Sequence, residues 1–162
     1  MYSTSYVSPL GEMMIASDGQ AICGLWFCGQ KHFPDGEWVR KDDLPIFFKA
    51  KRWLDDYFSG LNPKIDFELK PAGSDFRLNV WKILSEIPYG ETVTYGEIAL
   101  KLSEGMSAQA VGGAVGHNPI AILIPCHRVL GAGGKMTGYA GGIDRKIELL
   151  KIERGDNSIG SD

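Results

Sequence analysis

The hydrophobic pattern of this 162-residue chain changes period at Pro71-Ala72-Gly73-Ser74, and that change limits the folds open to it. Before the break, apolar residues alternate or run in short blocks over residues 2–7, 13–16 and 21–27, which predicts three short strands. Ser8-Pro9-Leu10-Gly11 and Asp18-Gly19 supply the turns between them. A polar, irregular stretch at 29–43 precedes a helical run at 44–58, which carries Phe47, Phe48, Trp53, Leu54, Tyr57 and Phe58. Gly60 and Pro63 end that helix, and residues 65–69 can return as a strand. After the break, helical spacing dominates. Residues 76–87 place Phe76, Val80, Trp81, Leu84 and Ile87 on one side, with Ser74 as N-cap. Two shorter helical patterns, 94–103 and 107–115, are separated by Glu104-Gly105-Met106, as in a helix-turn-helix. Residues 121–124 read as a short strand or buried extended segment, 131–142 as a glycine-dense loop and 143–152 as a terminal helix. The expectation is an α+β fold with a small N-terminal α/β domain (1–72), a mainly helical C-terminal domain (73–155) and a flexible tail (156–162).

Composition narrows the function classes. A chain 44% hydrophobic and 23% charged is an ordinary globular protein. No apolar run reaches the ~18–20 residues of a membrane span, and Met1-Tyr2-Ser3-Thr4 opens no secretory signal, so a cytoplasmic monomer is expected. Three cysteines, an odd number, argue against a disulfide framework. The net charge of −3 divides as −2 over residues 1–90 (10 basic, 12 acidic) and −1 over 91–162 (7 basic, 8 acidic). Neither half is a basic footprint, so a nucleic-acid partner would be held through few phosphates. Cys23, Cys28 and His32 match no closed zinc spacing and read better as core cysteines of a strand, so no metal is expected. The glycines of 131–142 lack the strand-to-helix context of a phosphate loop, and no cofactor is expected.

The most informative stretch is Ile124-Pro125-Cys126-His127-Arg128-Val129. Pro125 fixes its own φ and turns the chain before the cysteine. A thiol attacks as thiolate, so a nucleophilic cysteine needs basic or electropositive neighbours, and here a His and an Arg follow directly. Taken alone, a cysteine beside an apolar segment is more often a small core residue. By the same local reading His127 is a satisfied core histidine, Glu153 a solvated helix-end charge and Asn118-Pro119 a helix-ending turn.

The wider pattern points elsewhere. Val80-Trp81, Ile87-Pro88-Tyr89-Gly90, Thr94-Tyr95, Val111-Gly112-Gly113-Ala114, Asn118-Pro119, Pro125-Cys126-His127-Arg128-Val129, Gly138-Tyr139, Gly141-Gly142, Arg145-Lys146 and Leu149-Leu150 follow in order without a gap. Together they resemble the catalytic domain of the O6-alkylguanine-DNA alkyltransferases over about residues 74–153, and Ser8-Pro9-Leu10-Gly11 fits the start of that family's N-terminal domain. The resemblance implies a ribonuclease H-like N-terminal domain and direct-reversal DNA repair. An alkyl group would pass from O6-alkylguanine, with O4-alkylthymine as a further candidate, irreversibly to Cys126. It implies that His127 takes the thiol proton through a water and is oriented by Glu153, that Asn118 joins the recognition helix to the active-site segment, and that Tyr95 donates to purine N3. Tyr139 and the amide of Ala140 would face O6, and the carbonyls of Cys126 and Val129 the exocyclic amine. The target nucleotide would be flipped out of the duplex, and Thr94, Ala108, Gln109, Gly112 and Arg128 would touch double-stranded DNA. Gln109 departs from the family, which usually has an arginine there to fill the gap the flipped base leaves. A glutamine wedges and hydrogen-bonds but brings no charge, so a weaker grip on DNA is expected.

Two rival functions are a non-catalytic alkyl-lesion binder and a helix-turn-helix regulator. Cys126 argues against the first, because such binders lack the acceptor. The acidic balance and the absence of a polar, base-reading helix argue against the second.

Overall fold

The structure, a computed structural model, describes residues 1–103 and 105–155. The expected tail, 156–162, lies outside the described residues. Strands β1 (Tyr2–Ser8) and β2 (Gly11–Ser17) pair antiparallel from Tyr2 opposite Ser17 to Ser8 opposite Gly11, which leaves Pro9 and Leu10 as the loop. Ser8 Oγ fastens that loop, donating to the Gly11 carbonyl at 2.7 Å and accepting from the Leu10 amide at 3.1 Å. Strand β3 (Ile22–Phe27) joins β2 antiparallel, and β4 (Val39–Arg40) adds to β1 in parallel, giving the order β3-β2-β1-β4. The sequence gives no sign of β4, because both its residues are exposed and lie in a polar stretch without a period.

Helix α1 (Pro45–Phe58) has proline in its first turn, where the missing N–H costs nothing, and buries Phe47, Ala50, Leu54 and Tyr57 on the side packed against the sheet. The strand expected at 65–69 does not form. Only Leu69 bridges Ile22, with Ile22 N to Glu68 O at 2.9 Å and Lys70 N to Ile22 O at 2.8 Å. The rest of that edge is taken by the other half of the chain. Leu25 N donates to Pro119 O at 2.8 Å, and Ala121 N to Leu25 O at 2.9 Å.

The second half is built from capped helices. Ser74 caps α2 (Asp75–Ser85), accepting from the Arg77 amide at 3.2 Å. Thr94 and Glu97 form a capping box at the start of α3 (Tyr95–Leu102), and Ser107 caps α4 (Ala108–Gly116). Helices α3 and α4 pack as the expected helix-turn-helix, and Trp81 Nε1 pins α2 to α4 through the Ala114 carbonyl at 2.8 Å. Strands β5 (Val93–Thr94) and β6 (Val129–Leu130) pair in parallel, and α5 (Ile143–Glu153) closes the fold.

The apolar run 121–124 is a buried turn rather than a strand. Leu123 N reaches Ala121 O at 2.7 Å, Ile124 N reaches Ile120 O at 3.0 Å, and Ile122 takes a φ of 68°. A β-branched residue in that region is strained, so the surrounding packing must hold it. One hydrophobic cluster runs from Met13, Leu25 and Phe47 through Trp81 and Val111 to Val129 and Leu149, so the two halves share a core. Among the described residues no helix is long and apolar enough to cross a membrane.

Candidate active site

Cys126, 6% exposed, opens a short 3-10 turn (Cys126–Arg128) between the strained turn and β6. Asn118 fixes its approach. The buried amide donates to Ile124 O at 2.8 Å and to Ile120 O at 3.3 Å, and its oxygen accepts from the Ile120 amide at 3.0 Å. This is the bridging role expected of Asn118, tying the end of α4 to the turn that presents the thiol. Burial pushes the Cys126 thiol up from its usual value; Asn118, the charge of Lys146 and Tyr139 work against that rise. The Tyr139 hydroxyl lies close enough to Cys126 for each to influence the other's ionisation, though the two do not reach hydrogen-bond geometry.

Behind the thiol, His127 is fully buried and its Nε2 meets Glu153 Oε2 at 2.5 Å. Glu153 is 6% exposed, so the reading of a solvated helix-end charge is excluded. Its carboxylate also accepts from Tyr57 OH (2.6 Å), from Gly90 N (3.2 Å), and from Arg128 Nε (2.7 Å) and Nη2 (3.1 Å). Burial alone would raise the Glu153 carboxyl, but His127 and Arg128 outweigh it and hold it at about 2. Burial lowers His127 below its ordinary value, only partly offset by Glu153. The pair is therefore a neutral imidazole on an ionised carboxylate. With Nε2–H assigned to Glu153 by this network, Nδ1 is left as a buried acceptor that makes no hydrogen bond among the described residues.

Arg128 requires a correction. It was expected among the DNA contacts, but it turns inward, with two nitrogens on Glu153 and Nη1 on Ile87 O at 2.7 Å. Its side chain is 11% exposed, and a carboxylate 25 residues away claims the fork that phosphate would need. The Thr94 hydroxyl accepts the Glu97 amide at 3.1 Å as a helix cap, which leaves its own proton free to donate. The cysteines of the first half differ too: Cys23 is half-buried in β3, whereas Cys28 lies beyond the strand and is exposed.

A cleft of about 640 Å³ is walled by Tyr95, Tyr139 and Ala140 and by Gly112 and Gly113 of α4. The Tyr95 and Tyr139 hydroxyls are both pushed up, by burial first and by Cys126 next. Tyr95 OH donates to Gly138 O at 3.3 Å. The loop has to be glycine at 141, because a Cβ there would come within 2.7 Å of the Tyr139 ring and 3.0 Å of Phe27. Ala108 and Gln109 are exposed in the first turn of α4, and a Cβ on Gly113 would meet nothing within 4 Å. The small residues of this helix thus leave an open face rather than a packed one. The site brings together Cys126, His127, Glu153, Asn118, Tyr95 and Tyr139, and Ala140 joins the cleft wall. The Val129 carbonyl accepts from Lys146 and keeps a second lone pair.

Two residues carry more than the sequence suggested. Lys146 is fully buried, and its ammonium donates to the carbonyls of Val129 (2.5 Å), Thr137 (2.7 Å) and Gly138 (3.3 Å). It sews the glycine-rich loop to β6, and burial lowers it to about 8, so it stays cationic at neutral pH. Tyr57 comes from α1, in the other half, to donate to Glu153. Among the described residues no three His, Cys, Asp or Glu side chains gather as a metal cluster.

Comparison with known proteins agrees with this arrangement. Residues 75–155 match the family description "6-O-methylguanine DNA methyltransferase, DNA binding domain", and residues 1–71 match that of the same family's ribonuclease-like domain. The methylated-DNA–protein-cysteine methyltransferase of Haemophilus influenzae is 43% identical over 95% of this chain and 87% of its own length. That of Methanosarcina acetivorans is 46% identical over 94% and 98%. The crystal structure of Mycobacterium tuberculosis OGT in complex with DNA superimposes with a TM-score of 0.88 at 43% identity, covering 96% of this chain and 94% of that one.

Proposed function

Because the chain belongs to the 6-O-methylguanine DNA methyltransferase family, we propose that it repairs O6-alkylguanine in double-stranded DNA by moving the alkyl group irreversibly to Cys126. The observation that carries this reading is the buried Cys126 followed directly by a buried His127–Glu153 pair, with Tyr95 and Tyr139, which both feel the cysteine's charge, in the wall of one cleft. The neutral His127, through a bridging water, takes the thiol proton on Nδ1, while Glu153 holds the ring and stabilises the imidazolium that forms. The thiolate attacks the alkyl carbon in line, an S–C bond forms as the C–O6 bond breaks, and the pair of electrons leaves with guanine. Tyr95 at purine N3 and Tyr139 with the Ala140 amide at O6 receive that charge, and the guanine anion takes up the proton. Lys146, cationic near the sulfur, favours the thiolate that burial opposes.

The O6 atom lies inside the duplex, so the nucleotide must leave the stack at a cost of a few kcal/mol. The open face of α4, with Ala108, Gln109 and Gly112, supplies the surface that lies against the duplex, and residues 73–155 carry the DNA-binding and chemical work. With this reading goes a cytoplasmic monomer whose partner is double-stranded DNA.

Mass spectrometry after mixing with an O6-methylguanine duplex tests this. One methyl is expected on the Cys126 peptide, with activity ending at one equivalent and no adduct in Cys126→Ser. Turnover beyond one equivalent, or a methyl on Cys23 or Cys28 instead, would overturn the assignment.

A further inference from the structure

His32 and Ile122 are the non-glycine residues described with positive φ. His32, at 62°, sits in the exposed loop after β3 and holds a conformation that costs a non-glycine residue about 1–3 kcal/mol. Two contacts hold it there. The adjacent Lys31 amide donates to the Ala140 carbonyl at 3.0 Å, across to the loop of the active site. The His32 imidazole itself stacks on that of His117, at the C-terminal cap of α4, with centroids 3.8 Å apart and planes 27° apart. His117 Nδ1 lies 2.8 Å from the Gly113 carbonyl, which fixes that ring against the helix.

The charge around the stack has one sign. The groups acting on His32 are His117 from α4, Lys31 from its own loop and Arg77 from α2, and they add to desolvation in lowering its proton affinity. Lys31, His32 and His117 line the same cleft as Tyr95 and Tyr139. Arg77 and His117 line the adjoining hollow along the exposed side of α4 with Ala110 and Gly113. In a chain of net charge −3, two imidazoles and two permanent cations converge at the lip of the site. Desolvation and these cations work against a proton on His32, and an arriving anion works for one.

We propose that Lys31, His32, Arg77 and His117 form a phosphodiester clamp in which the N-terminal half grips the strand carrying the extruded nucleotide and takes up a proton as it closes. The clamp rests on the DNA-repair reading above, because the phosphate chemistry is that of the same substrate. It gives the first half of the chain a part in binding DNA, and it makes affinity depend on pH through groups remote from His127 and Glu153.

The test is the affinity of the full chain for an unmodified duplex, by fluorescence anisotropy from pH 8 to pH 6, with and without EDTA. The wild type should bind several-fold tighter at pH 6 than at pH 8, because binding takes up a proton. The pH dependence should be lost in His32→Asn, which tolerates the left-handed backbone, and in His117→Gln. In parallel, methyl transfer from an O6-methylguanine duplex to wild-type Cys126 reads the chemistry itself. A wild-type affinity flat with pH, or variants that keep its slope, would overturn the clamp, and a slope that EDTA removes would assign the imidazoles to a metal instead. Failure of the wild type to take the methyl group would instead count against the repair reading itself.

Discussion

A carboxylate as fully hydrogen-bonded as Glu153 can lose one donor and stay ionised, and Tyr57 is the donor whose loss is most informative. Tyr57→Phe removes a charge-assisted bond of about 1.5–3 kcal/mol in stability but leaves Arg128 and His127 in place. With one competitor gone from Oε2, the carboxylate pulls harder on His127, whose proton affinity rises. In the wild type, alkyl transfer should hold steady from pH 8 to below 6.5 and fall only at lower pH, because burial depresses His127. In Tyr57→Phe that acid limb should move to higher pH, as single-turnover rates across pH would show; a purely structural role would weaken the fold without moving the limb. None of this was visible locally, because Tyr57 and Glu153 are 96 residues apart and tyrosine at helical spacing reads as packing. Arg128 was misread for a related reason: position beside the nucleophile says that a cation is near, but not which carboxylate it faces. The residues that were legible, Cys126, Asn118, His127 and Tyr139, were so through the order of their motifs and not through any local signal.

At the scale of elements, α4 sacrifices its own stability for an open face. Its glycines lower helix propensity by about 1 kcal/mol each, and Gly113 has no neighbour that would object to a methyl group. Gly113→Ala should therefore raise the midpoint of chemical unfolding by up to about 1 kcal/mol in stability and, in the same protein, weaken duplex binding. Gln109→Arg, on the exposed first turn, should tighten binding and add about one unit to the slope of log affinity against log salt. An unchanged salt slope would show that the side chain does not reach the DNA. The helix boundaries were readable because Ser74, Thr94 and Ser107 stand where the caps form. The turn at 121–124 was not, because a segment buried on every side is apolar throughout whether it is straight or bent.

For the whole molecule, the change of period at residues 71–74 suggested two domains, yet the halves share one hydrophobic cluster, a backbone bridge at Leu25 and the Tyr57–Glu153 bond. Chemical denaturation should show one transition, with far-UV circular dichroism and tryptophan fluorescence coincident. Two separated transitions would contradict a shared core. Glu153 adds an acid dependence of known sign. Its folded value of about 2 lies below the ordinary 4.5, so its contribution is complete above pH 4.5 and is lost as pH falls towards 2. Glu153→Gln should lack that acid component and lose about 3–5 kcal/mol at neutral pH, since Arg128 is left buried without its partner. The burial of Cys126 bears on how such a protein is used. An alkyl thioether formed at Cys126, itself 6% exposed, is a stable C–S bond that water does not hydrolyse back to a thiol. Each chain is then a reagent consumed with its lesion, and a cell's capacity for this repair is a headcount of unspent molecules, replenished only by synthesis.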